Sequence, residues 1–226
     1  MSLQKANCNK IDGSVVFTAN APRERRFVEC LYGDASQAIG TLTPGCEIFG
    51  FTKGQFSLMD VISEILAQTG PATVDISTWT AAKADIGHAG RFVKDGHILS
   101  ARWVVDRSFP SRQKGYFKML VDRFGASAIR MTRTHAKFVL IRNEEWNIVL
   151  RSSMNLNKNP RFENFEISDD PAMADFFSDM VDQIFTQRDV GHMPTTAELD
   201  EWFSDCEIRG ENVEPKTSNV PKMEWM

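Results

Sequence analysis

The chain has 226 residues and a formal net charge of −4, and 42% of its residues are hydrophobic. This length and composition suffice for one domain with a sizeable core, flanked by tails. No apolar run approaches the length of a membrane span, and the N-terminus lacks the hydrophobic region of a signal peptide. We therefore expect a soluble, cytoplasmic protein without membrane contacts.

The four cysteines indicate neither a disulfide framework nor a metal site. They show no close pairing and no metal-ligand spacing, and thiols in the cytoplasm are normally reduced. We expect no bound metal and no cofactor. The cysteines are Cys8, Cys30, Cys46 and Cys206.

Strands and helices alternate along most of the chain. The polar, mixed composition of residues 1–26 predicts an N-terminal arm or linker, and residues 27–188 are predicted to form the catalytic domain. Ser57 is a predicted helix N-cap, and Gly70 and Gly125 are predicted helix stops. The predicted strands cover residues 46–52, 72–80, 98–105, 128–141, 146–150 and 162–167, and the predicted helices cover residues 57–70, 81–92, 116–124 and 171–187.

This alternation predicts an α/β sandwich in which helices flank a mostly parallel central sheet. Residues 189–226 are acidic and weakly periodic, which predicts a flexible, solubilising C-terminal tail with one or two amphipathic turns over residues 197–203. Alternatively, the tail covers the basic face of the domain, or Trp225 anchors a partner.

A cluster of polar residues follows the strand pattern between residues 135 and 163. His135 and Lys137 are two residues apart, as are Ser153 and Asn155, so each pair shares one face of a strand. A turn over residues 142–145 would bring the two pairs together, and the next strand would carry Glu163 to the same end of the sheet. Alternatively, His135 is a structural histidine, Asn155 and Asn159 are turn residues before Pro160, or Glu166 replaces Glu163.

This set suits attack on a phosphate ester without a metal. Neutral imidazole is a competent nucleophile, and a carboxylate on its other ring nitrogen would fix the tautomer. Lys137, Asn155 and the Ser153 hydroxyl would stabilise charge on the phosphoryl oxygens. Glu163 is the candidate carboxylate.

These residues resemble the HKD half-site of the phospholipase D superfamily, particularly its single-motif nuclease branch, over residues 45–188. The resemblance implies a phospholipase D-like fold with one half-site per chain and a two-step mechanism through phosphohistidine. His135 would be the nucleophile, Lys137 and Asn155 would bind phosphate, and Glu163 would hydrogen-bond the histidine. The usual motif has an Asp five residues after the Lys, where this chain has Arg142.

Such a mechanism needs a second acid–base group, which protonates the leaving oxygen and later activates water. The sequence shows no internal repeat, and His88, His97 and His192 lack comparable surroundings. We therefore predict a homodimer that pairs two copies of His135, as the resemblance also implies.

Positive charge is concentrated before and within this cluster. Residues 91–142 contain twelve Lys or Arg and three Asp, giving +9, whereas residues 143–226 contain seven basic and eighteen acidic residues, giving −11. Such a basic block suits DNA or RNA, although solvated helix faces and strand edges would produce the same pattern. The candidate nucleic-acid contacts, some of them in a predicted loop around Phe109 and Tyr116-Phe117, are Arg107, Arg112, Lys114, Lys118, Arg133 and Arg142.

The sequence therefore predicts a metal-independent nuclease or related phosphodiesterase. The alternative is a catalytically inactive relative that binds nucleic acid or has a regulatory role, as the replacement at Arg142 suggests. A lipid-cleaving phosphodiesterase is less favoured, because no amphipathic membrane helix is evident.

Overall fold

A mixed eight-stranded sheet with helices on both faces forms the centre of the computed structural model, which describes residues 24–30, 33–157, 160–187 and 190–208. The strands are β1 (Glu24–Cys30), β2 (Cys46–Thr52), β3 (Ala72–Thr78), β4 (Ile98–Asp106), β5 (Ile129–Thr132), β6 (Phe138–Arg142), β7 (Asn147–Ser152) and β8 (Glu163–Asp169). The helices are α1 (Ala35–Ile39), α2 (Leu58–Thr69), α3 (Lys83–Lys94), α4 (Phe109–Arg112), α5 (Lys114–Phe124), α6 (Pro171–Thr186) and α7 (Thr196–Ile208), and Ala126–Ala128 form a 3₁₀ turn.

The strand order is β1-β2-β8-β7-β6-β3-β4-β5. Only the pairs β1–β2, β3–β4 and β4–β5 are parallel, and the other four neighbouring pairs are antiparallel. The α/β prediction is confirmed, but the prediction of a mostly parallel sheet is wrong. The described residues of the connections from β6 to β7 and from β7 to β8 contain no helix, and these strands form an antiparallel meander between the two parallel parts of the sheet.

The predicted strand over residues 128–141 is also wrong, because the chain forms two separate strands there. Strand β5 lies at the sheet edge beside β4, and β6 pairs with β3 on the opposite side of β4. The connecting residues 133–137 pass across the ends of β4 and β3. They are fixed by hydrogen bonds from the Thr134 N–H to Asp106 Oδ2 (3.2 Å) and from the Ser77 hydroxyl to the Ala136 carbonyl (3.0 Å).

Helices bury both faces of the meander. The main core contains Val139, Ile141 and Phe165, whereas Leu140 and Val149 face α6 on the other side of the sheet. This explains the continuous apolar run at the start of β6, which has to be apolar on both faces. Among the described residues, no helix has the length and apolar character needed to cross a membrane.

Helix predictions that rest on local capping signals are confirmed. Ser57 and Asp60 form a reciprocal capping box at the start of α2, and Gly70 ends that helix with φ +81°. Gly125 ends α5 in the same region of backbone space, with φ +78°. Asp170 caps α6, where its carboxylate accepts from two backbone N–H groups.

The division into arm, domain and tail remains a prediction, because residues 1–23 and 209–226 lie outside the described residues. Glu24–Arg26, predicted as the end of the arm, are the first residues of β1. Within the predicted tail, α7 packs on α5 through Trp202 and Phe203, whose rings lie 5.7 and 6.2 Å from that of Phe117. Of the cysteines, the side chain of Cys46 is described, and it is a buried free thiol.

Candidate active site

Five predicted site residues lie at one end of the strands, and we call this end of the sheet the site edge. His135 and Lys137 immediately precede β6, Ser153 and Asn155 follow β7, and Glu163 begins β8. The antiparallel register places the start of β6, the end of β7 and the start of β8 side by side. The parallel strands β3, β4 and β5 also end at this edge, because β3 pairs antiparallel with β6.

His135 and Lys137 are in direct contact. The Nζ atom of Lys137 lies 3.1 Å from His135 Nδ1 and 3.3 Å from Nε2, and it donates to the His135 carbonyl at 2.8 Å. Donation from an ammonium group to a ring nitrogen requires a lone pair there, so the arrangement suits neutral imidazole. Burial lowers the pKa of Lys137 below its usual value, and the negative charge of Glu163 partly opposes this effect.

Glu163 is held by Ser153. The Ser153 hydroxyl donates to the Glu163 carboxylate and accepts from the Asn164 backbone N–H at 3.0 Å. Within the described chain, the hydrogen-bond contacts of the His135 ring are with Lys137, so Glu163 does not hydrogen-bond the histidine in this structure. It acts on the site through its charge near Lys137.

Glu166, the alternative carboxylate, is committed elsewhere. Its Oε2 forms an ion pair with Arg151 Nη2 at 2.6 Å. Because Glu166 lies three residues after Glu163 on β8, the two side chains also leave opposite faces of the strand. Of these two glutamates, Glu163 is therefore the one that belongs to this edge.

Asn155 is half-buried, and its side-chain oxygen has an unusual environment. The Oδ1 atom is fully buried and has no hydrogen-bond partner within the described part of the chain. Leaving such an atom unsatisfied costs about 1–3 kcal/mol, and an exchanged amide orientation would present the NH₂ group instead. Asn159, the neighbouring turn candidate, lies outside the described residues.

Two residues that help to build this edge, Trp79 and Asp106, are not among the predicted site residues. The Trp79 ring lies 5.8 Å from the His135 ring, and the Arg112 guanidinium lies 3.7 Å from the centroid of the Trp79 ring. Asp106 fixes the segment that carries His135, since it accepts from the Thr134 N–H. The missed signal is positional: Trp79 follows β3, and Asp106 ends β4, at the carboxyl ends of parallel strands, where ligands bind in many α/β proteins.

The pKa of the Asp106 carboxyl group at this edge lies below its usual value. Burial acts to raise its pKa, but hydrogen bonds from the Ser108 hydroxyl, the Ser108 N–H and the Thr134 N–H outweigh burial and lower it. These contacts join the turn after β4 to the segment before β6.

Several basic candidates also belong to this edge. Arg107 follows β4 and Arg133 follows β5, and both are exposed. The backbone N–H of Arg107 donates to the Thr132 carbonyl at 2.9 Å, so the two turns are adjacent. With Arg112 and Lys137, they make four cationic residues at the same edge as His135.

The prediction of a loop around Phe109 and Tyr116-Phe117 is wrong. Residues 109–112 and 114–124 are helical, and the Phe109 and Phe117 rings are fully buried against each other at 5.7 Å. Lys114 and Lys118 lie on α5, and Lys118 forms an ion pair with Asp122 at 2.9 Å. Their role in nucleic-acid binding remains a prediction.

Arg142 is not brought to the site. It ends β6, four residues beyond the strand's first residue, which corresponds to about 13 Å at the usual rise of a strand. Its guanidinium binds Asn147 Oδ1 at 3.1 Å and Asp175 Oδ1 at 2.9 Å. Replacement of the motif Asp by Arg142 therefore adds no charge beside His135.

No cluster of three or more potential metal-ligating side chains occurs within the described ranges. No family model matches the chain, and no curated protein matches it. Among solved structures, it is similar to phosphatidylserine synthase from Haemophilus influenzae Rd KW20, at 13% identity and a TM-score of 0.46, covering 72% of this chain and 45% of that one. It is also similar to polyphosphate kinase from Porphyromonas gingivalis, at 13% identity and a TM-score of 0.44, covering 66% of this chain and 24% of that one.

The chain thus spans less than half the length of either structure. Both TM-scores lie below 0.5, so the functional assignment has to rest on the geometry of this chain.

Proposed function

We propose that this protein is a metal-independent phosphodiesterase that cleaves nucleic acid through a covalent intermediate on His135. The observation that carries the proposal is the contact between the exposed His135 ring and Lys137, at 3.1 Å. A cation thus lies beside the proposed nucleophile, at an edge where Asn155 and the Ser153–Glu163 pair also lie. The phospholipase D-like motif pattern supports the same chemistry.

The reaction has two displacements at phosphorus. In the first, a ring nitrogen of His135 forms a bond to phosphorus while the bond to the leaving oxygen breaks, and an acid protonates that oxygen. In the second, a base removes a proton from water, the water oxygen bonds to phosphorus, and the phosphorus–nitrogen bond breaks. Lys137 stabilises the charge on the non-bridging oxygens in both steps.

The acid–base group in this scheme comes from a second copy of the chain. Among the described residues, His97 lies at the opposite end of β4 from His135. His192 pairs through its backbone with Met131 near the end of β5, but its ring is engaged by Glu198 at 3.0 Å. A homodimer with His135 facing His135 would supply both roles symmetrically.

Nucleic acid is the proposed substrate because of the charges around the edge. Arg107, Arg112 and Arg133 are exposed at the same end of the sheet as His135, and a strand of DNA or RNA offers a phosphate at every nucleotide. An isolated phosphodiester, such as a lipid headgroup, would use fewer of these cations.

The decisive experiment compares the native chain with His135→Ala and with the matched control His97→Ala. Cleavage of single- and double-stranded DNA and RNA would be measured in EDTA. We expect cleavage by the native chain and by the control, loss of cleavage in His135→Ala, and an acid-labile nucleotidyl adduct, linked through phosphorus to His135, by mass spectrometry.

Two outcomes would contradict the proposal. Cleavage that persists in His135→Ala would remove His135 from the reaction. Binding of nucleic acid without cleavage by any of the three proteins would favour the alternative, a catalytically inactive binding or regulatory protein.

A further inference from the structure

Arg112 is held in one orientation although it lies at the surface. Its guanidinium stacks on the Trp79 ring at 3.7 Å, its Nη2 donates to the Trp79 carbonyl at 2.8 Å, and its Nε donates to Ser108 Oγ at 2.9 Å. An arginine fixed by stacking and hydrogen bonds loses little side-chain freedom when it binds a ligand. Such an arginine is therefore pre-organised for binding.

The guanidinium keeps free donor capacity in this position. A guanidinium carries five N–H groups, and the contacts to Ser108 and Trp79 use one on Nε and one on Nη2. Within the described chain, both N–H groups of Nη1 and one of Nη2 have no acceptor. Neighbouring guanidinium N–H groups match two oxygens of a phosphate.

The position also relates Arg112 to the nucleophile. The Trp79 ring contacts both groups, at 3.7 Å from the guanidinium and 5.8 Å from the His135 ring. The guanidinium is therefore at most about 9.5 Å from the histidine ring. A stacked strand rises about 3.4 Å per nucleotide, so this separation corresponds to a few nucleotide steps at most.

We propose that Trp79 and Arg112 form a second phosphate subsite, which receives a phosphate flanking the scissile one in a nucleic-acid strand. The inference rests on the proposed function and deepens it. It makes the preferred substrate a polymer of phosphodiesters rather than an isolated diester. Trp79 acts here as a positioning residue, because it holds the guanidinium that binds the phosphate.

The test compares two substrates in EDTA. Bis(p-nitrophenyl) phosphate has one phosphate and no neighbour, whereas a fluorescent single-stranded 20-mer has flanking phosphates. The variants are Arg112→Gln, Trp79→Leu, the conservative Trp79→Phe, and Arg91→Gln as a matched control. Arg91 is an exposed arginine near the other end of α3, away from the site edge. Circular dichroism would verify that each variant folds.

For Arg112→Gln we expect the kcat/KM for the oligonucleotide to fall at least about tenfold more than that for the small diester, as for loss of hydrogen bonds to a charged group. Trp79→Leu should show a smaller loss in the same direction, and Trp79→Phe should recover most of it. Arg91→Gln should behave as the native chain. Equal losses on both substrates for Arg112→Gln would overturn the subsite.

Binding of the oligonucleotide, measured by fluorescence anisotropy over a range of KCl concentrations, separates this proposal from the proposed function. Loss of one phosphate contact should reduce the slope of log affinity against log salt by about 1 for Arg112→Gln. If the native chain cleaves neither substrate, the proposed function fails and the salt slope alone decides the subsite. An unchanged slope would then overturn it.

Discussion

Gly50 provides a sharp test of how tightly the sheet is packed behind the site. Gly50 lies on β2 opposite Phe165 of β8, and a Cβ atom at Gly50 would lie 2.3 Å from Phe165 Cζ and 2.6 Å from Cε1. Ordinary carbon contacts are about 3.5–4.0 Å, so in Gly50→Ala the ring must move by more than about 1 Å. Phe165 is fully buried and also contacts Phe56, which leaves it little space.

The expected cost follows from two opposing effects. Overpacking a core costs about 1–3 kcal/mol, whereas alanine lowers the backbone entropy of the unfolded chain and recovers about 0.5–1 kcal/mol. We therefore expect Gly50→Ala to lower the free energy of unfolding by about 1–2 kcal/mol, and Tm by about 2–8 °C for a domain of this size. Because Phe165 lies two residues after Glu163, the shift should also disturb the site edge.

Thermal unfolding followed by circular dichroism would measure this effect, with Gly115→Ala as the matched control. Gly115 lies in α5, and a Cβ there would meet nothing within 4 Å, so this variant should gain about 0.5–1 kcal/mol. The double variant Gly50→Ala/Phe165→Leu should be less destabilised than the sum of the single variants. A Tm of Gly50→Ala at or above that of the native chain would refute the packing described here.

Three further predictions concern the site. Phosphodiester cleavage should decline on the alkaline side at a pH below the usual pKa of lysine, because Lys137 must stay protonated and burial lowers its pKa. Glu163→Gln removes the negative charge that opposes this effect, so the decline should move to lower pH. Identical pH–rate profiles for the native chain and Glu163→Gln would contradict this prediction. Arg142→Asp should give no increase in cleavage rate. It should lower Tm, because the ion pair between Arg142 and Asp175 is replaced by two neighbouring carboxylates. A faster cleavage rate in Arg142→Asp would show that position 142 acts on the site. Light scattering at micromolar concentration should give the mass of a dimer, and a monomer would count against a shared site.

Local sequence signals were sufficient for most individual elements. The capping box at Ser57 and the glycine at Gly125 fix helix ends within one turn of chain, so no distant residue is needed to predict them. The polar cluster was also predictable, because a hairpin and the next strand join His135 to Glu163 within a short stretch of chain. Each connection in that meander is set by residues close in sequence.

The strand order required the tertiary structure. A buried apolar strand has the same local pattern whether its neighbours run parallel or antiparallel, so the sequence did not show that β6, β7 and β8 lie between β2 and β3. For the same reason, the sequence did not show that residues 133–137 connect β5, on one side of β4, to β6, which pairs with β3 on the other side. His135 and Lys137 consequently lie on a connection across strand ends rather than on a strand.

The sequence by itself determined which chemical groups are available at this site: an imidazole, an ammonium, an amide and a carboxylate, carried on a local meander. Only the tertiary structure decided what surrounds them. Trp79 reaches His135, and Arg112 reaches Trp79, because β3 and β4 end at the same edge as the site. Arg142 lies away from the site because it ends β6 at the opposite edge. These relations depend on contacts between distant parts of the chain, which local propensity and spacing do not encode.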